Sequence, residues 1–449
     1  MKRHFLGLFL GLCATAAWAQ ERTPITTYYP QNPEQVRESY FILDGDSSRM
    51  DGPYRKFGPT GQLLSEGTFV EGKLQGSFTE YYPNGMVSRQ LQFSRGRKQG
   101  PFLVFNEAGD TLQAGVFKGD ILADSLIAYY PEGGIKSITP FRLGEPHGLV
   151  REYYPDGSLK RKAPYELGRI QGVEMVYYES GVVRSEAQYA GGILNGYYYI
   201  FHPNGQKAKE SIHEAGAATG VFREYSPEGT LLLEGHQKEG VLHGENRAWY
   251  PSGNLKHHFV YEEGQRQGAA EWYYEDGTLQ RKIVPRNGDD ANRTETTYYA
   301  NGKPSAVEVF ADGLAHGVWK TYREAGQLWQ EMRYDAGRKQ GEWVTFYPDG
   351  KVQEVIPYQY DQIRGEVVRY HENGQKAEVL PYMVNKKHGL AQAWYANGTL
   401  KSEGEYAGNR PVGDWKYYNE AGQLERTLRY ERGLLSETIV HETEERSEN

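Results

Sequence analysis

The sequence predicts an all-β fold: an elongated antiparallel β-meander of about sixteen 24-residue hairpin repeats, built as a single twisted sheet. Three observations predict it. Sixteen glycines recur at a near-fixed interval: Gly61, Gly85, Gly109, Gly133, Gly157, Gly181, Gly205, Gly229, Gly253 and Gly277, then Gly302, Gly326, Gly350, Gly374, Gly398 and Gly422, with 25 residues instead of 24 only between Gly277 and Gly302. A period of 20–50 residues marks a repeat architecture. Four residues before every one of these anchors stands an aromatic residue, from Phe57 and Tyr81 to Trp394 and Tyr418. Between anchors the pattern alternates with period two, and no helix-period stretch of useful length interrupts it.

The elements follow in chain order. Residues 1–19 read as a signal peptide: Lys2, Arg3 and His4 are basic, Phe5 to Ala17 is apolar but short, and Ala17-Trp18-Ala19 fits a small-x-small cleavage site after Ala19. The chain is therefore expected to be exported to the periplasm, the outer-membrane surface or the medium. Leu12 stands where a lipoprotein box wants a small residue, so lipidation of Cys13 is the minor reading. Cys13 is the only cysteine, and its removal would leave no disulfide, thiolate ligand or cysteine nucleophile. Residues 20–50 contain Tyr28-Tyr29-Pro30 and the strand-like run Glu38 to Leu43, and read as an N-terminal cap with a degenerate repeat. The repeat array occupies 51–435. The acidic tail, 436–449, is expected to be disordered in part.

Within one repeat, Leu, Val or Ile stands two residues after the anchor in twelve of sixteen units, and Phe or Tyr eight after in thirteen. With the sixth residue, mostly small or apolar, these positions define the buried face of a strand; Ser65, Glu66, Arg89 and Glu186 sit between them. The anchor closes a hairpin. In Tyr82-Pro83-Asn84-Gly85, Tyr154-Pro155-Asp156-Gly157 and Tyr347-Pro348-Asp349-Gly350, proline presets the first turn position, and glycine supplies a positive φ. Gly205, Gly253, Gly277 and Gly398 are assigned the same job. A second turn joins units. Nine residues before the anchor, fourteen units have glycine. Thirteen before, ten have glycine and the others Ser48, Asp120, Asp289, Asp361, Asn385 and Asn409, a replacement set that signals left-handed backbone. Asp124 and Arg293 break the glycine rule. They predict bends or loops near 119–127 and 286–295, or turns of another type.

The run Tyr334-Asp335-Ala336-Gly337-Arg338-Lys339-Gln340-Gly341-Glu342-Trp343 resembles a MORN repeat in its bacterial variant form, and the resemblance recurs from about residue 50 to 435. It implies an elongated antiparallel meander. It also implies a choice of roles, since some bacterial members are described as antitoxins of toxin–antitoxin pairs, and other MORN proteins as scaffolds or lipid-associated organisers.

Little in the sequence asks for catalysis. His147, His243, His316 and His388 stand ten residues before an anchor, in a slot that Gln75, Gln99, Gln171, Asn195, Gln267 and Gln340 also fill. Such a slot uses a hydrogen-bonding side chain in a turn. His257-His258 would point to opposite faces of a strand. Asp44-Gly45-Asp46 opens like a calcium loop, but Arg55 stands where the bidentate acid is required. No nucleophile elbow, phosphate loop or zinc-protease motif is present. We expect no catalytic residues, no metal and no cofactor. Without the signal, 49 basic residues face 59 acidic ones, which argues against nucleic acid and does not favour an anionic membrane.

One slot has the character of a recognition surface. Three residues before the anchor, nine units carry a second tyrosine: Tyr82, Tyr130, Tyr154, Tyr178, Tyr250, Tyr274, Tyr299, Tyr347 and Tyr395. A row of half-exposed tyrosines suits a protein or a glycan partner; the same rings would equally cover the turn and pack on proline. The expected function is a secreted or periplasmic, non-enzymatic scaffold. The alternative is an antitoxin or immunity-like component that neutralises a partner protein.

Overall fold

The computed structural model describes residues 21–442, so the predicted signal peptide, Cys13 and residues 443–449 lie outside the described residues. Among the described residues there are 42 strands and no helix. Contacts divide the chain into two compact units, Met1–Gly216 and Ala217–Asn449. The first holds twenty strands, from Arg22–Tyr29 to Lys207–Glu214; the second holds twenty-two, from Ala217–Tyr225 to Leu434–Val440. In each, strands pair antiparallel with their neighbours in the chain, as an open meander.

The anchor turns fold as their sequence dictates. All sixteen anchor glycines have φ between 81° and 94°. At Gly85 the amide donates to the Tyr82 carbonyl at 2.9 Å, and the Tyr82 amide to the Met86 carbonyl at 2.8 Å. This is a type I turn followed by a left-handed residue, the usual three-residue hairpin link. The linking turns are two-residue type I′ turns with positive φ at both positions, such as Glu71–Gly72 (48°, 77°) and Tyr360–Asp361 (49°, 67°).

Asp120, Asp361, Asn385 and Asn409 are left-handed as expected, and each carboxylate or amide oxygen accepts an amide of the preceding repeat at 2.7–2.8 Å. Asn and Asp thus replace glycine with a side chain that adds a bond between repeats. Ser48 and Asp289 do not follow. Their repeats make the turn earlier, at Asp44–Gly45 and Asn287–Gly288, because Asp-Gly and Asn-Gly are the strongest type I′ pairs available. Ser48 lies in the short strand Asp46–Met50, and Asp289 begins the strand Asp289–Tyr298.

The two segments where bends or loops were expected carry strands. Asp124 lies within Ile121–Tyr129 and takes the glycine's role at φ 60°. Around Arg293 the extra residue is absorbed in a bulge, where Pro285 pairs with Arg293 and Arg286 with Asp289. The strand pattern continues past residue 435. Arg432–Gly433 forms another type I′ turn, and Leu434–Val440 pairs with Leu424–Glu431.

The core is a column across the strands. The residue seven before each anchor lies directly opposite the residue six after it, as in Val150 with Ala163, Ala270 with Ile283, and Val367 with Leu380, all buried. Where one partner is a large ring, the other shrinks. Phe102 lies directly opposite Gly115, and the Trp415 ring, itself opposite Leu428, leans over Gly404 of the preceding repeat; a Cβ on either glycine would clash with the ring. This is why the sixth position is mostly small or apolar.

Candidate interaction surface

The nine tyrosines of the predicted row are half-buried, and each does the same thing. Its hydroxyl donates to the backbone carbonyl of the aromatic residue four before the next anchor. The bonds run from Tyr82 to Phe105, Tyr130 to Tyr153, Tyr154 to Tyr177 and Tyr178 to Phe201 in the first unit. In the second they run from Tyr250 to Tyr273, Tyr274 to Tyr298, Tyr299 to Tyr322, Tyr347 to Tyr370 and Tyr395 to Tyr418. All lie between 2.7 and 2.9 Å. The carbonyl sits beside the bulge that every anchor turn creates, where the strand ladder is interrupted. The tyrosine therefore satisfies a group that the regular ladder does not reach.

The slot keeps this role when its residue changes. His371 Nε2 lies 2.9 Å from the Trp394 carbonyl, and Arg323 Nη2 donates to the Phe346 carbonyl at 3.0 Å. Tyr29 of the cap donates to the Phe57 carbonyl at 2.8 Å. The cap is thus a true member of the series, with Asn32 in the anchor position and five extra residues before Gly61. Lysines three residues after the anchor lie over several of the rings: Lys136 over Tyr130, Lys160 over Tyr154, Lys256 over Tyr250 and Lys401 over Tyr395, at 5.4–5.8 Å. What the row offers a partner is ring surface, because its hydroxyls are committed.

The slot ten residues before the anchor also serves the turns. Asp51, Gln75, Gln99, Gln171, Asn292 and Gln340 each accept the first amide of the following type I′ turn at 2.7–3.2 Å. The histidines fit it less well. Nδ1 of His147 and of His243 is buried without a partner, and His316 Nδ1 lies 3.5 Å from Asp335 Oδ1. His257 stacks on Phe259 at 4.4 Å, and burial pushes its pKa down, helped by Lys256. His258 lies 3.9 Å from Glu245. Among the described residues, no three His, Cys, Asp or Glu side chains converge as a metal site.

Two departures from the repeat pattern were not singled out from the sequence. Trp329 occupies a slot that holds lysine in four other repeats and tryptophan in none of them. It lines a groove of about 660 Å³ with Gln330, Tyr347, Glu354, Arg369 and His371. The Arg369 guanidinium is fixed there by Glu354 at 2.8 Å and Glu378 at 2.6 Å. The second departure lies in the core column, where Glu295 faces Glu308. Glu295 is buried, with Arg281 Nε at 2.6 Å and Arg293 Nε at 3.7 Å. Burial raises the Glu308 pKa, and the Glu295 charge raises it further. Comparing slots between repeats, rather than scanning for motifs, is the signal that finds both.

Comparison with known proteins bears on the fold. No curated protein matches the sequence. Crystal structures of TcdB2-TccC3-TEV and TcdB2-TccC3-Cdc42 align over 93% of this chain, at 12% and 10% identity and TM-scores of 0.14 and 0.15. The chain spans 27% and 31% of those chains, and likeness at that TM-score carries no argument about fold or function. The pattern of the MORN repeat variant matches nine segments: 50–71, 74–94, 146–167, 170–190, 266–284, 315–336, 339–360, 387–407 and 411–432. With the hairpin geometry above, these nine matches make the chain a MORN-variant repeat protein.

Proposed function

We propose that this repeat scaffold is exported, performs no catalysis and holds a partner protein against the ring surface of its tyrosine row. The observation that carries the reading is the groove lined by Trp329, Tyr347 and His371, where one tyrosine of the row and the histidine that fills the next repeat's slot meet an exposed indole. Aromatic rings beside a fixed guanidinium are the composition of an interface anchor. A glycan would use the same rings by stacking, so it is the second ligand to test.

The test is fractionation of the native cell, followed by crosslinking from a photoreactive residue at Gln353, at the groove's edge. The reading expects an extracytoplasmic fraction and one dominant protein adduct, weakened by Trp329→Ala. A cytoplasmic location, or an adduct pattern unchanged by Trp329→Ala, would overturn it. Recovery of a small secreted toxin as the adduct would select the antitoxin-like role among protein partners.

A further inference from the structure

The residue six before each anchor lies directly opposite the residue five after it, and in four repeats this slot holds an ion pair. Arg55 pairs with Glu66 at 3.4 Å, Arg223 with Glu234 at 2.6 Å, Glu271 with Lys282 at 2.8 Å and Lys320 with Glu331 at 3.6 Å. In the repeat anchored at Gly157 the same slot holds Arg151 opposite Lys162. Like charges at this separation, about 5 Å between Cβ atoms, oppose the strand pairing. Neither residue has an ion pair among the described residues.

The surrounding residues extend the exception. In Lys160-Arg161-Lys162 the strand alternation sends the middle residue to the opposite face, where Glu152 holds Arg161 at 2.8 Å and Glu174 at 2.5 Å. The outer two share the face of Arg151. Lys136 and Arg184 occupy the slot of Lys160 in the preceding and following repeats, and both are exposed and make no ion pair among the described residues. Five cations without a carboxylate partner therefore lie on one face over three repeats, in a chain of net charge −8.

We propose that this row binds an acidic peptide whose carboxylates recur every third residue, and that its occupant is the segment Glu442 to Glu448 of a second copy of the chain. Lys136, Lys160 and Arg184 are separated by two strand spacings each, roughly 10 Å. An extended polyproline-II peptide advances about 9.3 Å per three residues and returns its side chains to the same side. Glu442, Glu445 and Glu448 have that spacing. Arg151 and Lys162 supply the centre of the row, where two cations meet one carboxylate. A broad anionic surface would be repelled by the rest of this acidic chain, whereas a single peptide senses only charges within a Debye length of about 8 Å. The contact joins different surfaces of the two copies, so copies add head to tail, into rings or open chains.

The test is sedimentation of the full chain across a concentration series, at about 20 mM and about 300 mM salt. The wild type is expected to gain mass with concentration at low salt, and to return to monomer at high salt. Glu442→Gln with Glu445→Gln and Glu448→Gln, or Arg151→Glu with Lys162→Glu, should weaken association at least about tenfold. Arg151→Gln with Lys162→Gln provides a second receptor variant, with circular dichroism checking that each folds. Mixing the Arg151→Glu, Lys162→Glu protein with one carrying Glu442→Lys, Glu445→Lys and Glu448→Lys should restore association. A wild type that stays monomeric at low salt, association indifferent to either set of substitutions, or a charge-reversed mixture that stays apart would overturn the proposal.

Discussion

The Tyr154 hydroxyl donates to the Tyr177 carbonyl at 2.7 Å, and the two residues stand 23 positions apart in equivalent slots of adjacent repeats. The bond recurs wherever the slot holds tyrosine. It gives the repeat a staple at its anchor turn, while the Asp and Asn side chains of the type I′ turns give it another at the opposite end. A unit with one uncovered face has few buried side chains to hold it to the next, so hydrogen bonds at both turn ends take a larger share of the coupling between repeats.

The cap tests the staple at its simplest. Tyr29→Phe keeps the ring and removes the bond to the Phe57 carbonyl. It should destabilise by about 1 kcal/mol, and hydrogen exchange should accelerate first in Arg22–Tyr29 and Asn32–Leu43. Equal protection in the variant would mean that the cap is held by other contacts, such as Arg22 on Asp51 at 2.7 Å.

Asn385→Gly separates conformation from bonding. Glycine accepts the φ of 62° without strain, but the bond from the Ile363 amide at 2.7 Å is lost. The expected cost is about 1 kcal/mol, measured by denaturant titration, with faster exchange of the Ile363 amide. Alanine at the same site should cost about 1 kcal/mol more, since it adds left-handed strain.

Gly157 and Gly404 require glycine for different reasons. Nothing lies within 4 Å of a Cβ on Gly157, whose φ is 86°. Gly157→Ala therefore costs the left-handed strain, about 1–2 kcal/mol, with the indole fluorescence unchanged. A Cβ on Gly404 would enter the Trp415 ring, so Gly404→Ala should cost about 1–3 kcal/mol by overpacking and shift the Trp415 emission toward red.

Glu308 predicts the pH dependence. Its pKa is raised above the ordinary 4.5 by burial and by Glu295, with Arg281 and Arg293 opposing. The folded chain then holds a proton that the unfolded chain has released. This contribution is fully present below the unfolded value and is lost as pH rises through the folded one. Glu308→Gln should flatten that decline and gain stability over wild type above the folded pKa, as read by denaturant titrations from pH 4 to 8. A steeper decline in the variant would contradict the assignment.

Most of the fold was legible because a period repeated sixteen times averages out local ambiguity. One Tyr-Pro-Asp-Gly is a turn signal; its recurrence fixes strand, turn and register together. The misreadings at Ser48 and Asp289 came from counting back from the anchor through an insertion. The Asp-Gly and Asn-Gly pairs nearby carried the stronger turn chemistry. The tyrosine staple was hidden for another reason: its acceptor is a backbone carbonyl, which leaves no trace in side-chain identity. Arg151 opposite Lys162 was hidden too, because neither residue is unusual until the register makes them neighbours.

The central claim is that chemistry recurring in step with the repeat builds the array, and that partner selection lies in the departures from it. Tyr154→Phe combined with Tyr178→Phe tests this most directly, by denaturant titration and by partner capture on the same protein. The account predicts a loss of about 2 kcal/mol in stability with capture unchanged, since both rings remain. Unchanged stability with loss of capture would contradict it.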